Sequence, residues 1–137
     1  MGGIVEARKL SARQEMFRLL IYSRPELAPA DAFSVNKPLA ERLLKLKPTR
    51  RTMQLEKCFN EVISTLPSGA VIKDIDVMFN PDYKVDVMRI LIAANKQKPI
   101  SAIWPGRYAD GKLYYSEESL PDYKIFEISD YDIYCVV

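Results

Sequence analysis

The sequence contains no histidine, and this absence excludes several kinds of chemistry. A chain without imidazole cannot build a Ser-His or Cys-His nucleophile, the commonest histidine metal sites or the usual proton switch near neutral pH. Any catalysis would therefore depend on carboxylates, lysines or tyrosines. We expect neither a metal site nor a cofactor, with Mg-ATP as the alternative considered below.

Cysteines and long apolar runs are also scarce. The two cysteines, Cys58 and Cys135, stand far apart in the sequence, which fits a reducing compartment. No apolar run approaches the roughly 20 residues that cross a bilayer, and residues 1–16 lack the apolar core of a secretion signal. We therefore expect a cytoplasmic protein with no membrane partner.

The composition is that of one globular domain. The 137 residues are 48% hydrophobic and 28% charged, which predicts a single domain over residues 1–137 with a real core. Residues 1–60 hold 12 Lys+Arg against 6 Asp+Glu, a net +6, whereas residues 61–137 hold 8 against 12, a net −4. The basic run Lys45, Lys47, Arg50 and Arg51 could contact DNA phosphates or an acidic partner, or it could be a solvated helix face.

Hydrophobic spacing predicts an α/β fold. We expect a helix over 4–16, a strand over Phe17–Ser23, a second strand at 33–36, and a short helix from Pro38 that Pro48 stops. A longer helix follows, and its apolar positions recur every three or four residues: Leu55, Phe59, Val62, Ile63 and Leu66. A strand over Ala70–Ile75, a helix within 81–97 and a strand over 99–104 predict a parallel crossover.

The remainder of the chain is rich in strand signals. Asp110-Gly111 lies between β-rich flanks and predicts a hairpin, and two more strand-like runs cover 123–128 and 131–137. The predicted fold class is therefore α/β, a partly parallel sheet flanked by helices, with a β-hairpin-rich C-terminal part.

The segment "AVIKDIDVMFNP" resembles a Walker B strand. Such a strand needs buried apolar residues followed by an acid that holds Mg²⁺. Asp74 and Asp76 would share one face if the strand continued that far. Lys73 interrupts the apolar run, so two solvated acids at a strand end are the alternative interpretation.

A phosphate loop is harder to find. Gly106, Gly111 and Lys112 have the spacing of G-x-x-x-x-G-K-[ST], but Leu113 replaces the Ser or Thr and no helix is predicted to follow. We favour a hairpin there. Asp82, Asp110 and Lys112 also have the outline of a PD...(D/E)xK nuclease, although Asp82 is better explained as a charge at a helix start.

Aromatic residues are concentrated after residue 100. They could form a contact surface for a partner or the outer half of a core. The candidates for that surface are Trp104, Tyr108, Tyr114, Tyr115 and Tyr123.

The order of segments over about residues 33–128 resembles BrxF, the family of small P-loop proteins of type 3 BREX bacteriophage-exclusion systems. The most specific parts are the acid-bearing strand with "MFNP" after it, and the block containing Trp104-Pro105-Gly106, Gly111, Tyr114 and Pro121-Asp122-Tyr123. Such proteins are similar to AAA-type ATPases, with a Walker A loop after the first strand and the Walker B acid at Asp74 or Asp76.

The chain departs from that pattern at the decisive position. After "FRLLIYS" it has "RPELAPADA", with no glycine and no Gly-Lys-Ser/Thr. The resemblance therefore implies a degenerate, non-catalytic subunit of a phage-defence complex that acts through protein contacts. Its implied partners are a DNA methyltransferase, an alkaline-phosphatase-like protein and a large ATPase, with DNA and a second copy of the chain as further candidates. The alternatives are an active ATPase that uses Gly106, Gly111 and Lys112, or a DNA-binding module that uses residues 45–51.

Overall fold

The computed structural model of the chain describes residues 2–10 and 18–137, and these form two sheets. The strands are β1 Gly3–Val5, β2 Leu19–Tyr22, β3 Ala32–Ser34, β4 Ala70–Lys73, β5 Ile100–Ile103, β6 Arg107–Ala109, β7 Lys112–Tyr115, β8 Lys124–Glu127 and β9 Ile133–Val136. The larger sheet has the order β1-β9-β2-β5-β4-β3, and all its neighbouring strands are parallel. The smaller sheet, β6-β7-β8, is antiparallel.

Within residues 2–10 and 18–137, three α-helices accompany the large sheet: α1 Asn36–Leu44, α2 Pro48–Ser64 and α3 Val87–Gln97. Pro48 lies in the first turn of α2, where its missing N–H costs no hydrogen bond. Asp86 caps α3 by accepting a hydrogen bond from the backbone N–H of Arg89. No helix in the described ranges is long and apolar enough to cross a bilayer.

The two faces of the large sheet are covered differently. Leu19 and Ile21 of β2 belong to the main core, together with the buried residues of all three helices. Leu20 and Tyr22 alternate with them and face a second, smaller cluster, which Leu27 covers from the connection to β3. Because β2 is buried on both faces, its sequence is a continuous apolar run.

The connection from β2 to β3 spans only residues 23–31. Its sole regular structure is a short 3-10 helix, Pro25–Leu27. Parallel neighbours need a longer crossover, but β2 and β3 are not neighbours, because β5 and β4 lie between them. The short connection is therefore compatible with an all-parallel sheet.

The predicted fold class is confirmed: a parallel sheet with helices and a separate antiparallel hairpin sheet. The Asp110-Gly111 hairpin is also confirmed, since it joins β6 to β7 and both residues have positive φ. The strand β9 was predicted without a partner, and it enters the large sheet between β1 and β2.

Several predicted boundaries were wrong. A helix was expected over 4–16, but residues 3–5 form β1 and Ala7–Lys9 form a 3-10 helix. Pairing of β1 with β9 overrides the local helical spacing. Residues 11–16 of the expected helix lie outside the described ranges. Pro48 begins α2 rather than ending α1, which already stops at Leu44. The strand expected to reach Ile75 ends at Lys73, where Asp74 turns the backbone to positive φ.

Candidate functional site

The carboxyl ends of β3 and β4 form the polar edge at which the Walker B prediction can be examined. Parallel strands end at the same edge of a sheet, and open α/β sheets usually bind ligands there. Ser34 ends β3 and pairs with Lys73, the last residue of β4. The residues that follow these two strands therefore come together.

Asp74 is oriented by a neighbouring strand. Its backbone has φ 52°, a left-handed conformation that aspartate tolerates better than most residues. The Ser34 hydroxyl donates a hydrogen bond to Asp74 Oδ2 over 2.7 Å. The carboxylate is exposed, as the interpretation of a solvated strand end requires.

Asp76 is held from two sides. Its Oδ2 accepts a hydrogen bond from Asn36 Nδ2 at 3.2 Å, and its Oδ1 accepts one from the Tyr115 hydroxyl at 2.9 Å. Asn36 Oδ1 also accepts the backbone N–H of Val77 at 2.8 Å. Asp76 thus links the first turn of α1 to the small sheet, and both of its oxygens are engaged within the protein.

Tyr115 is the residue through which the small sheet reaches this edge. Its ring stacks on Phe79 with 3.8 Å between centroids, and burial raises the pKa of its phenol well above the usual range, with a further rise from the hydrogen bond to Asp76. The hydroxyl therefore remains a donor to the carboxylate throughout the physiological pH range. The hydrogen bond between Tyr115 and Asp76 therefore contributes to the fold.

The connection after β2 occupies the position where a phosphate loop would stand. Pro25 and Pro29 have no N–H, and the amides of Ser23, Leu27 and Ala28 already donate to backbone carbonyls. An anion cradle needs free amides at a helix start. The segment 23–31 therefore offers little with which to bind a triphosphate.

Gly106, Gly111 and Lys112 do not form a phosphate loop, and this alternative is corrected by the structure. Gly111 lies in the turn of the β6–β7 hairpin, and Lys112 belongs to β7, where its Nζ lies 4.0 Å from Glu127 Oε2. Gly106 packs so closely that an added Cβ would lie 1.8 Å from the carbonyl oxygen of Tyr114. The glycine is needed for packing.

The nuclease outline also does not form a site. Asp82 lies in a turn before α3 rather than at a helix start, and its backbone carbonyl accepts the Thr52 hydroxyl at 3.4 Å. Asp110 lies at the tip of the β6–β7 hairpin. Within the described residues, no group of three or more Asp, Glu or Cys is placed to hold a metal ion.

The aromatic surface is corrected for two of its five residues. Trp104 and Tyr115 are only 3% and 8% exposed, because they pack with Phe79 and Phe126 between the two sheets. The Trp104 indole N–H donates to the Tyr114 carbonyl at 2.9 Å. Tyr108, Tyr114 and Tyr123 are half-buried and can contribute to a contact surface.

The basic run surrounds the junction of α1 and α2. Lys45, Lys47 and Arg50 are exposed, and no described acidic group forms an ion pair with them. Arg51 is half-buried and donates to the Leu43 carbonyl at 3.0 Å, which caps the end of α1. Three of the four cations are thus available for a partner.

Sequence reasoning missed the residues that orient the two acids, namely Ser34 and Asn36. The available signal was their position toward the end of the strand predicted at 33–36, since polar side chains at strand ends reach the ligand-binding edge of a parallel sheet. The contribution of Tyr115 had no such signal, because it depends on how the two sheets pack.

The site and the fold define a class of protein, an α/β domain with acids at the carboxyl edge of its parallel sheet. Comparison with known proteins does not take the identification further. No protein-family model matches the chain, and no match was found among the curated proteins or the solved structures.

Proposed function

We propose that the chain is a non-catalytic accessory or assembly subunit that acts through protein–protein contacts in the cytoplasm. The observation that carries this proposal is that polar groups at the carboxyl ends of the strands are hydrogen-bonded to other parts of the protein. Asp76 accepts hydrogen bonds from Asn36 and Tyr115. In the segment 23–31, three amides donate to backbone carbonyls and the two prolines have no N–H. Asp76, an acid that an ATPase would direct at Mg²⁺, here connects α1 to the small sheet.

The phage-defence context of this proposal comes from the sequence resemblance to the BrxF family. In a BREX-like complex the partners would be a DNA methyltransferase, an alkaline-phosphatase-like protein and a large ATPase. The surfaces that support such contacts are the half-buried tyrosines of the small sheet and its β7–β8 loop, Tyr108, Tyr114 and Tyr123, and the cations of the α1–α2 junction.

The first test is a calorimetric titration of Mg-ATP and Mg-ADP into the purified chain. We expect no saturable heat, because the connection after β2 contains only a three-residue 3-10 helix, which does not offer the cluster of helix N-terminal amides that holds phosphates. Asp74→Ala should behave as the wild type does. Saturable binding that is lost in Asp74→Ala or Lys112→Ala would contradict the non-catalytic interpretation and favour an ATPase.

The second test is co-expression with the three proposed partners, followed by affinity purification. A stoichiometric complex with at least one partner is expected, and Tyr108→Ala with Tyr123→Ala should weaken it. Exposed Lys96, on the last turn of α3, provides the control variant Lys96→Ala. Failure to capture any of the three would remove the phage-defence context without altering the nucleotide result.

A further inference from the structure

A groove with apolar walls lies at the end of α1. It encloses about 280 Å³ between α1 and the segment that follows β4. Its walls are Leu43, Leu44, Val77 and Tyr83, with Arg51 and Asn80 among the polar lining residues. Leu44 is 69% exposed, so its apolar side chain is accessible to an occupant of the groove.

Three cations lie close to lining residues of this groove in the sequence and form no ion pair within the described part of the chain. Lys45 and Lys47 lie in the α1–α2 loop, and Arg50 lies in the first turn of α2. Among the ion pairs formed by the described residues, none includes these three cations. An occupant of the groove would therefore need an apolar side chain flanked by acidic groups.

The β7–β8 loop of the same chain has that chemistry. In residues 116–122, "SEESLPD", Glu117 and Glu118 are exposed and belong to none of the described ion pairs, and Leu120 is 49% exposed. The loop is also ordered before binding. The Leu120 N–H donates to the Glu117 carbonyl at 2.9 Å, and the Ser116 hydroxyl donates to Asp122 at 2.5 Å.

We propose that the groove binds the β7–β8 loop of a second copy of this chain, with Leu120 against Leu44 and Glu117 and Glu118 facing Lys45, Lys47 and Arg50. Each copy carries one groove and one loop, so the contact either closes into a symmetric dimer or continues head to tail. The ordered loop lowers the entropy cost of association. The charge asymmetry of the chain, +6 over residues 1–60 and −4 over 61–137, favours the same pairing.

The test is sedimentation velocity of the wild-type chain over roughly 1 to 300 μM, a range suited to a small interface. The wild type should shift reversibly from monomer to dimer or larger species, and the shift should weaken as salt rises from about 0.05 to 0.5 M. Leu120→Ala should weaken the association about tenfold. A wild type that stays monomeric, or association that salt does not affect, would overturn the proposal.

Charge reversal gives the sharper experiment. Variant L carries Glu117→Lys and Glu118→Lys, and variant G carries Lys45→Glu, Lys47→Glu and Arg50→Glu. Each variant should be monomeric alone, because loop and groove then have the same sign. A mixture of L and G should associate again, since each loop now meets a groove of opposite charge.

Control variants separate this contact from a general charge effect. Lys96→Glu changes an exposed cation on α3 and should associate as the wild type does. Circular dichroism of L and G should match the wild type, because all five substituted residues are exposed. Association that persists in both L and G would show that another face forms the contact. A mixture that fails to associate would equally overturn the proposed pairing.

Discussion

Asn36 shows how one side chain can organise the polar edge. It donates to Asp76 and accepts from the backbone N–H of Val77, so it joins the start of α1 to the 3-10 helix Asp76–Phe79. The amide is well suited to this position because it supplies a donor and an acceptor at once. Only glutamine shares this amide group, with its donor and its acceptor on two different atoms.

Substitution of Asn36 should therefore destabilise the fold. Asn36→Ala removes the hydrogen bonds to the Val77 N–H and to one oxygen of Asp76, and we expect a loss of about 1 kcal/mol in the free energy of unfolding, measured by urea denaturation. The matched control is Lys37→Ala, an exposed neighbour, which should change stability by less than about 0.5 kcal/mol. Equal effects of the two variants would contradict this role of Asn36.

The two acids show that a sequence motif does not determine which side chains its residues contact. Asp74 and Asp76 were predicted from an apolar run followed by acids, and the structure places them at the carboxyl edge of β4 as that motif requires. Their hydrogen-bond partners come from β3, α1 and β7. Residues about 40 positions away decide whether these carboxylates point into a site or support the fold.

At the scale of elements, the small sheet is attached to the large one by aromatic packing. Phe79 stacks on Tyr115 and meets Trp104 edge-on, with 5.7 Å between centroids, while Phe126 meets Trp104 at 5.5 Å. Such contacts add to the free energy gained from the buried area of the rings. The aromatic residues that resembled a contact surface in the sequence are partly the joint between the two sheets.

Gly106 is required at this joint. In Gly106→Ala the new Cβ would lie 1.8 Å from the Tyr114 carbonyl oxygen and 3.0 Å from Trp104 Nε1, so the hydrogen bond between these groups would be displaced. We expect a loss of about 3 kcal/mol in the free energy of unfolding, together with a change in tryptophan fluorescence.

The control for this substitution is Gly3→Ala on the edge strand β1. There the nearest atoms to an added Cβ belong to the Tyr134 ring at 3.7 Å, an ordinary contact distance. Its stability should stay within about 0.5 kcal/mol of the wild type. If Gly106→Ala were equally neutral, the close packing of β6 on β7 at this point would be refuted.

At the scale of the whole molecule, β9 connects distant parts of the chain. It contributes residues 133–136 to a position between β1 and β2, so segments from opposite ends of the chain form adjacent strands. Just before it, Tyr131 donates to Asp86 at the start of α3 over 3.0 Å. The end of the chain is therefore tied to both the sheet and a helix.

This arrangement predicts a loss of stability in alkali. Burial, and then the hydrogen bond to Asp86, raise the pKa of Tyr131 to about 12, whereas an unfolded tyrosine titrates near about 10. The folded chain holds this proton more tightly, so its contribution is complete below pH about 10 and is lost as the pH rises toward about 12. Tyr115 acts in the same direction.

The measurement is the free energy of unfolding in urea from pH 8 to about 12. Tyr131→Phe should flatten the alkaline decline, because the titrating group is gone. Tyr123→Phe, a half-buried tyrosine of the β7–β8 loop, should leave the decline close to that of the wild type. An unchanged pH profile in Tyr131→Phe would contradict the linkage.

Local patterns were sufficient for much of the fold. Apolar spacing located α1, α2 and the strands β2, β4 and β5, since a helix or strand that buries one face must repeat with its own period. The Asp110-Gly111 pair predicted the hairpin, because both residues of this turn have positive φ and Asp-Gly is a favoured pair for that conformation. Boundaries were less accurate where a capping residue or an edge pairing decided them, as at Asp86 and β1.

The sequence by itself determined that this chain has an α/β fold, with acids after the strand that begins at Ala70 and no Gly-Lys-Ser/Thr after "FRLLIYS". Tertiary structure alone decided the strand order, the burial of Trp104 and Tyr115, and the engagement of Asp76 by Asn36 and Tyr115. Periodicity reports which face of an element is buried. It carries no information about which distant segment covers that face, and the hydrogen-bond partners at the polar edge depend on that segment.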